Sequence, residues 1–115
     1  MTGIVLGVDG ARTVSGIAVV IDVMRAFTTA AYAFAAGISE IHLVATVEDA
    51  FALGGFRMGE VGGRFIPGFD HNNSPSGLLG RRLSGPAVMR TGHGTLCVAE
   101  ATGASVDSHW IARRA

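Results

Sequence analysis

The stretch PGFDHNNSPSG, Pro67 to Gly77, gathers Asp70, His71, Asn72, Asn73, Ser74 and Ser76 in one turn-rich segment. Small oxygen-bearing side chains of this kind suit a hard cation or the oxygens of an anion. Two other turns carry related chemistry. DVMRAFTT, Asp22 to Thr29, supplies a carboxylate, a guanidinium and the Thr28 and Thr29 hydroxyls. RTGHGT, Arg90 to Thr95, supplies Thr91, His93 and a Gly94-Thr95 pair opening a helix, where unpaired amides favour negative charge. A further carboxylate, Glu60 in MGE, falls between them.

Each turn also has a duller reading. GHGT is equally a tight turn with a Thr cap, and no segment ends in the Gly-Lys-Ser/Thr of a P-loop, because the chain has no lysine. DHNNS begins like a calcium loop, with Asp70, Asn72 and Ser74 at alternate positions. It fails as one, since Pro75 stands where the loop needs Gly and Arg81 where it needs a bidentate Glu. His42 lies in an apolar run and reads as a core residue, and His109 is uninformative. The His and Cys spacing excludes a zinc site, whereas the oxygen-rich turns suit magnesium.

The elements that must position these turns follow from hydrophobic pattern. Gly16 to Val23 is an apolar run without alternation, expected to be a strand covered on both faces. Thr28 to Ala36 is expected to be a helix, with Phe27, Ala30, Ala31 and Phe34 on one stripe and Gly37 as its stop. The pattern repeats as a strand over Ile41 to Ala45 and a helix over Thr46 to Gly55, capped by Thr46 and Asp49 with Val47, Ala50 and Phe51 inward. Ala87 to Arg90 reads as another strand and Thr95 to Thr102 as its helix, ended by Gly103. Ile4 to Val8 and Ala104 to Ile111 are expected to add short strands.

This alternation predicts one α/β domain over residues 1–115: a layered α/β/α arrangement around a largely parallel or mixed sheet. In such sheets ligands collect beyond the carboxyl ends of the strands, where Asp22 to Thr29 and Thr91 to Thr95 fall. Gly54 to Pro86 shows no periodicity and is expected to be a long ordered lid or binding loop.

Composition narrows the class. Nine Arg against nine acids give a net charge of zero, which leaves no basic footprint for nucleic acid. Asp22 and Arg25 interrupt the apolar run from Ile17 to Ile38, each costing about 2.5–3.5 kcal/mol at a bilayer centre, so no membrane span is expected. One cysteine, Cys97, and an N-terminus without a signal pattern point to the cytoplasm. Charged residues make up only 16% of the chain, which points to apolar surface covered in a homo-oligomer.

Taken in order, DVMRAFTT, MGE, GFDHNNSP and RTGHGT resemble the motif series of the 2-phosphosulfolactate phosphatase (ComB-like) family, over roughly Val20 to Ala101. The resemblance implies a magnesium-dependent phosphatase acting on the phosphate ester of a small sulfonated or carboxylated hydroxy acid, a step in coenzyme M synthesis. Carried over by position, it gives Asp22, Arg25, Glu60 and Asp70 catalytic roles, with Asp22, Glu60 and Asp70 also as magnesium ligands. Thr28, Thr29, Asn73, Ser74, Thr91, His93, Gly94 and Thr95 would bind the substrate.

Three positions depart from the pattern. Phe27 replaces a Thr, Val61 replaces an Arg after Gly-Glu, and His93 replaces an Asn before Gly-Thr. The family pattern also continues beyond the fourth motif for longer than this chain does. The competing reading is therefore a shortened, catalytically silent relative serving as a small-anion-binding or oligomeric module.

Overall fold

The computed structural model describes residues 3–21, 23–92, 94–103 and 110–113. In chain order these form α1 (Gly7–Ala11), a π-helical turn (Val23–Phe27), α2 (Thr28–Ala36), β1 (Glu40–Val44), α3 (Val47–Leu53), β2 (Phe56–Val61) and β3 (Arg64–Phe65). A short 3-10 turn (Ser76–Leu78), β4 (Pro86–Arg90), α4 (Gly94–Glu100) and β5 (Trp110–Arg113) complete them.

The sheet is mixed, in the order β3-β2-β4-β1-β5. Its centre is parallel: β4 lies between β1 and β2, with Ile41 opposite Ala87 and Met58 opposite Met89. The two edges are antiparallel, β5 along β1 and β3 along β2. The period-2 geometry of strands sorts their side chains to two faces. One face buries Ile41, Met58, Ala87 and Met89 against Ala33 of α2, Ile38 and Leu78. The other buries Val44 and Val88 against Ala50 of α3, Ile66 and Phe69. Helices thus cover opposite faces, the expected layered α/β arrangement.

Local signals account for the first helix-strand-helix run. α2 ends at Gly37, whose φ of 118° is open to glycine, and the Ile38 amide reaches back to the Ala33 carbonyl at 3.1 Å. A Cβ at residue 37 would also strike the Leu83 carbonyl oxygen. At the start of α3, Thr46 accepts from the Asp49 amide at 3.1 Å and donates to the Asp49 carboxylate at 2.7 Å. Of the stripe expected on α3, Ala50 is buried and Val47 partly so, but Phe51 stays largely exposed and packs edge-on against Phe69.

Four expectations are corrected. The region from Gly54 to Pro86 is not one long lid or binding loop, since it contains β2, β3 and the 3-10 turn. Residues 17–21 form no strand among the described residues; they run outside the sheet with Ile17, Val19 and Ile21 exposed, because β5 occupies the outer side of β1. The start of the chain turns into α1 instead of a strand over Ile4 to Val8. Arg12 ties α1 to α4 by bonding Asp9 and Glu100, and the Glu100 hydrogen bond, with the charges of both acids, raises its pKa above the usual value. His42 is not a core residue: it is partly exposed on β1 and its Nε2 meets the Glu40 carboxylate at 2.9 Å. Most of the strand expected over Ala104 to Ile111 lies outside the described residues. No described helix is long and apolar enough to cross a membrane.

Candidate active site

The three parallel strands end side by side, at Val44, Val61 and Arg90, and their carboxyl edge carries a linked set of groups. Arg90 is the brace. Its Nε donates to the carbonyl of Ala45, just past β1, at 3.1 Å, and its Nη1 donates to the carbonyl of Glu60 in β2 at 2.9 Å. A single side chain on the central strand therefore fixes the ends of both neighbours. Both partners are neutral, so the brace leaves a cation at the edge whose charge no described carboxylate cancels.

β2 can approach β4 this closely only through Gly59. Its φ of 146° favours glycine, and a Cβ there would collide with the Arg90 carbonyl oxygen. The next residue, Glu60, points its carboxylate at Arg25, whose Nη2 lies 3.0 Å from both oxygens. Arg25 sits in the π-helical turn that opens α2, a geometry often found where a helix presents a functional group. Thr29, fully buried, donates its hydroxyl to the Arg25 carbonyl at 2.8 Å and so fixes that turn. The Glu60 side chain is 15% exposed and that of Arg25 is 48% exposed. Glu60 is the seated partner, and the remaining Arg25 donors, Nε and Nη1, have no partner among the described residues.

The sequence-derived candidates divide accordingly. Arg25, Thr29 and Glu60 come together at this edge, and Thr91, which follows Arg90, is buried beside it. Asp70 does not join them. Its carboxylate accepts from the Arg57 amide at 2.8 Å while its own amide donates to the Arg57 carbonyl at 2.9 Å. Arg57 lies three positions before Glu60, about 10 Å along an extended strand. Ser74 shares a hydroxyl contact with Ser76 at 3.2 Å, and its carbonyl is met by His71 Nε2 at 2.8 Å. His71 also stacks on Phe56, so it clasps the Pro67 to Gly77 turn to the sheet.

Asn73 is buried in that turn and its side-chain oxygen has no hydrogen-bond partner among the described residues. A buried acceptor left open costs about 1–3 kcal/mol, the kind of cost a ligand can remove. Asp22, His93 and the Thr95 side chain lie outside the described residues, and Gly94 begins α4. Thr28 opens α2, half-buried.

Among the described residues no three metal-binding side chains converge. Glu60 is bonded to a guanidinium and Asp70 to a backbone amide, so these two do not fit a shared magnesium ion. The set that does assemble is two guanidiniums and one carboxylate, an excess of positive charge at a sheet edge where ligands of parallel α/β folds bind. Arg90 went unmarked in the sequence reading. Its signal was an Arg at the very end of a buried apolar strand, ahead of Thr-Gly.

Comparison with known proteins decides the lineage. Residues 7–107 match the family model of 2-phosphosulpholactate phosphatase. The chain belongs to that family. It is 43% identical over 77 residues to a protein of Bacillus subtilis (strain 168), an alignment covering 63% of this chain and 34% of that one. It is 39% identical over 94 residues to a protein of Carboxydothermus hydrogenoformans, covering 75% of this chain and 38% of that one. With a Deinococcus radiodurans protein it shares 38% identity over 113 residues, covering 86% of this chain and 47% of the relative. All three bear the name "Probable 2-phosphosulfolactate phosphatase". The chain therefore spans about a third to a half of the length of these curated relatives.

Proposed function

We propose that this family member is a phosphoric monoester hydrolase of the 2-phosphosulfolactate phosphatase type, acting on the phosphate ester of a small sulfonated or carboxylated hydroxy acid in a reducing cytoplasm. The observation that carries this reading is Arg25, held by Glu60 at the carboxyl edge with its Nε and Nη1 donors unpartnered among the described residues. Hydrolysis of such an ester places water on phosphorus and breaks the bond to the ester oxygen, which leaves as the protonated hydroxy acid. The protein's main task is to neutralise and orient the transferring group.

With Nη2 held by Glu60, Arg25 can still donate a charge-assisted hydrogen bond from Nε or Nη1 to a phosphoryl or sulfonate oxygen. Glu60 removes the rotamer freedom that would otherwise blunt that grip. Arg90 adds positive charge without moving, because both of its carbonyl partners are fixed strand ends. Magnesium is part of this proposal through Asp22 alone, since Glu60 is committed to Arg25 and Asp70 to Arg57.

A second reading is favoured by that same separation of Glu60 from Asp70: the chain binds small phosphorylated or sulfonated acids without turning them over. Phosphate release from 2-phosphosulfolactate and 2-phospholactate, measured with magnesium and with chelator, distinguishes the two. The enzyme reading expects magnesium-dependent release, a loss of about 10²–10³-fold in Arg25→Ala, as for removal of one transition-state donor, and no release in Asp22→Ala. Absence of release from the wild-type chain, with calorimetric binding of sulfolactate that Arg25→Ala abolishes, sinks the enzyme and establishes the binding module.

A further inference from the structure

A recess lies between α2 and residues 78–82, away from the candidate active site. Its volume, about 580 Å³, is in the range that takes a small organic molecule. Three of its lining residues carry polar ends: Tyr32 of α2, Arg81 and Arg82. Ala31 and Ala35, one turn apart on α2, and Leu79 supply apolar surface between them. The walls are held in place. Leu78 is buried in the core, the Leu83 amide donates to the Ala36 carbonyl at 2.7 Å, and the Arg81 guanidinium lies 5.2 Å from the centre of the Phe56 ring. Phe56 opens β2, and the Ser39 amide meets the Gly85 carbonyl just ahead of β1 and β4. The recess therefore sits toward the amino edge of the parallel strands, a strand's length of about 13 Å from the carboxyl edge that carries Glu60 and Arg90.

We propose that this recess binds a small organic anion with a flat apolar body, of the aryl phosphate, phosphonate or carboxylate class. Its charge pattern carries the assignment. Among the described residues no acid lines the recess, and neither Arg81 nor Arg82 meets a carboxylate. The acids are engaged elsewhere: Asp9 and Glu100 with Arg12, Glu60 with Arg25, Glu40 with His42, and Asp70 with the Arg57 amide. Two guanidiniums on one concave wall thus keep their N-H donors for an entering anion. The Phe56 ring steadies the Arg81 head without occupying any of those donors. Tyr32 also has no hydrogen-bond partner among the described residues, and its partly exposed ring stands beside the Ala31 and Ala35 methyls, where a planar group can lie. An inorganic ion would leave that apolar surface in water, whereas an anion bearing a ring covers it. None of this depends on the proposed catalysis, since Arg25, Glu60 and Arg90 do not line the recess.

Phenylphosphonate is the probe, because it has no ester bond for a phosphatase to break, and amide chemical shifts of the full chain report where it binds. The expected result is saturable shifts at residues 31–36 and 79–82, with methylphosphonate, which lacks the ring, binding about tenfold more weakly. Arg81→Gln/Arg82→Gln is expected to weaken phenylphosphonate at least about tenfold, the worth of one charge-assisted hydrogen bond, while circular dichroism matches wild type. Arg82→Gln alone, which leaves the Arg81 contact with Phe56 intact, is expected to lower affinity in the same direction. Arg25→Ala is expected to leave the shifts at 31–36 and 79–82 in place, which separates this recess from the proposed active site. Shifts confined to residues 25–29, 60 and 90, or abolished by Arg25→Ala, overturn the inference. So does an absence of shifts at 31–36 and 79–82 well into the millimolar range. Binding there that is indifferent to Arg82→Gln, or equal for the two phosphonates, overturns it as well.

Discussion

Two short apolar runs of this chain meet opposite fates. β4, with Ala87, Val88 and Met89, is buried on both faces and flanked by β1 and β2. Residues 17–21, richer in β-branched side chains, lie outside the sheet with three of their aliphatics in solvent. Intrinsic preference favours the second run as a strand at least as strongly as the first. What separates them is company: a strand exists where neighbouring backbones satisfy its amides and where helices cover its faces. Composition describes only half of that condition.

Substitutions that shorten the same kind of side chain in the two runs should therefore differ sharply. Met89 is fully buried between α2 and the sheet centre, so Met89→Ala leaves a cavity that the close-packed surroundings fill only in part. Chemical denaturation is expected to show a loss of about 2–5 kcal/mol. A loss below about 1 kcal/mol would mean that β4 is not the centre of the core, and the contrast drawn with residues 17–21 would fail.

The same contrast explains which parts of the fold could be read from sequence. α2, Gly37, β1 and the Thr46 cap were legible because their signals are local: a stripe, a left-handed stop, a hydroxyl followed by an acid. β2 was not, because its strand character rests on pairing with β4 and its key residue, Gly59, looks in sequence like one more loop glycine. Its purpose is visible only once the Arg90 carbonyl stands against it. Residues 17–21 failed in the other direction, since periodicity cannot reveal that β5 takes the neighbouring position on β1.

The candidate site shows a parallel split. Arg25 and Glu60 were found through a family motif order, and the structure brings them together. Asp70 belongs to the same motif order but serves the Arg57 amide, the ordinary work of an Asp in a turn. Arg90 carries no motif meaning of its own, yet it ties β1 and β2 across β4. Arg90→Met keeps much of the aliphatic stem and removes both donors, so the expected loss is about 1–2 kcal/mol, the usual net worth of a pair of hydrogen bonds to carbonyls that water can reach. Because Glu60 loses its backbone anchor, anion affinity should fall as well, even though Arg25 is intact. A variant with wild-type stability and wild-type sulfolactate binding would show that the brace is ornamental.

The smallest effect belongs to Ile17→Ser. Its side chain is 96% exposed in the single chain, so replacing it removes almost no buried area, and denaturation at dilute concentration should shift by no more than about 0.5 kcal/mol. That near-zero value is informative because a comparable change inside β4, Val88→Ser, would be severe. A loss above about 1.5 kcal/mol in dilute, monomeric protein would mean that Ile17 is buried after all, with 17–21 drawn into the sheet beside β1 in place of β5. Right-handed β-α-β connection through α2 would allow such an arrangement, since the segment leads into α2 and α2 leads back to β1. The dilute measurement thus separates a segment that lies outside the sheet from a strand within it.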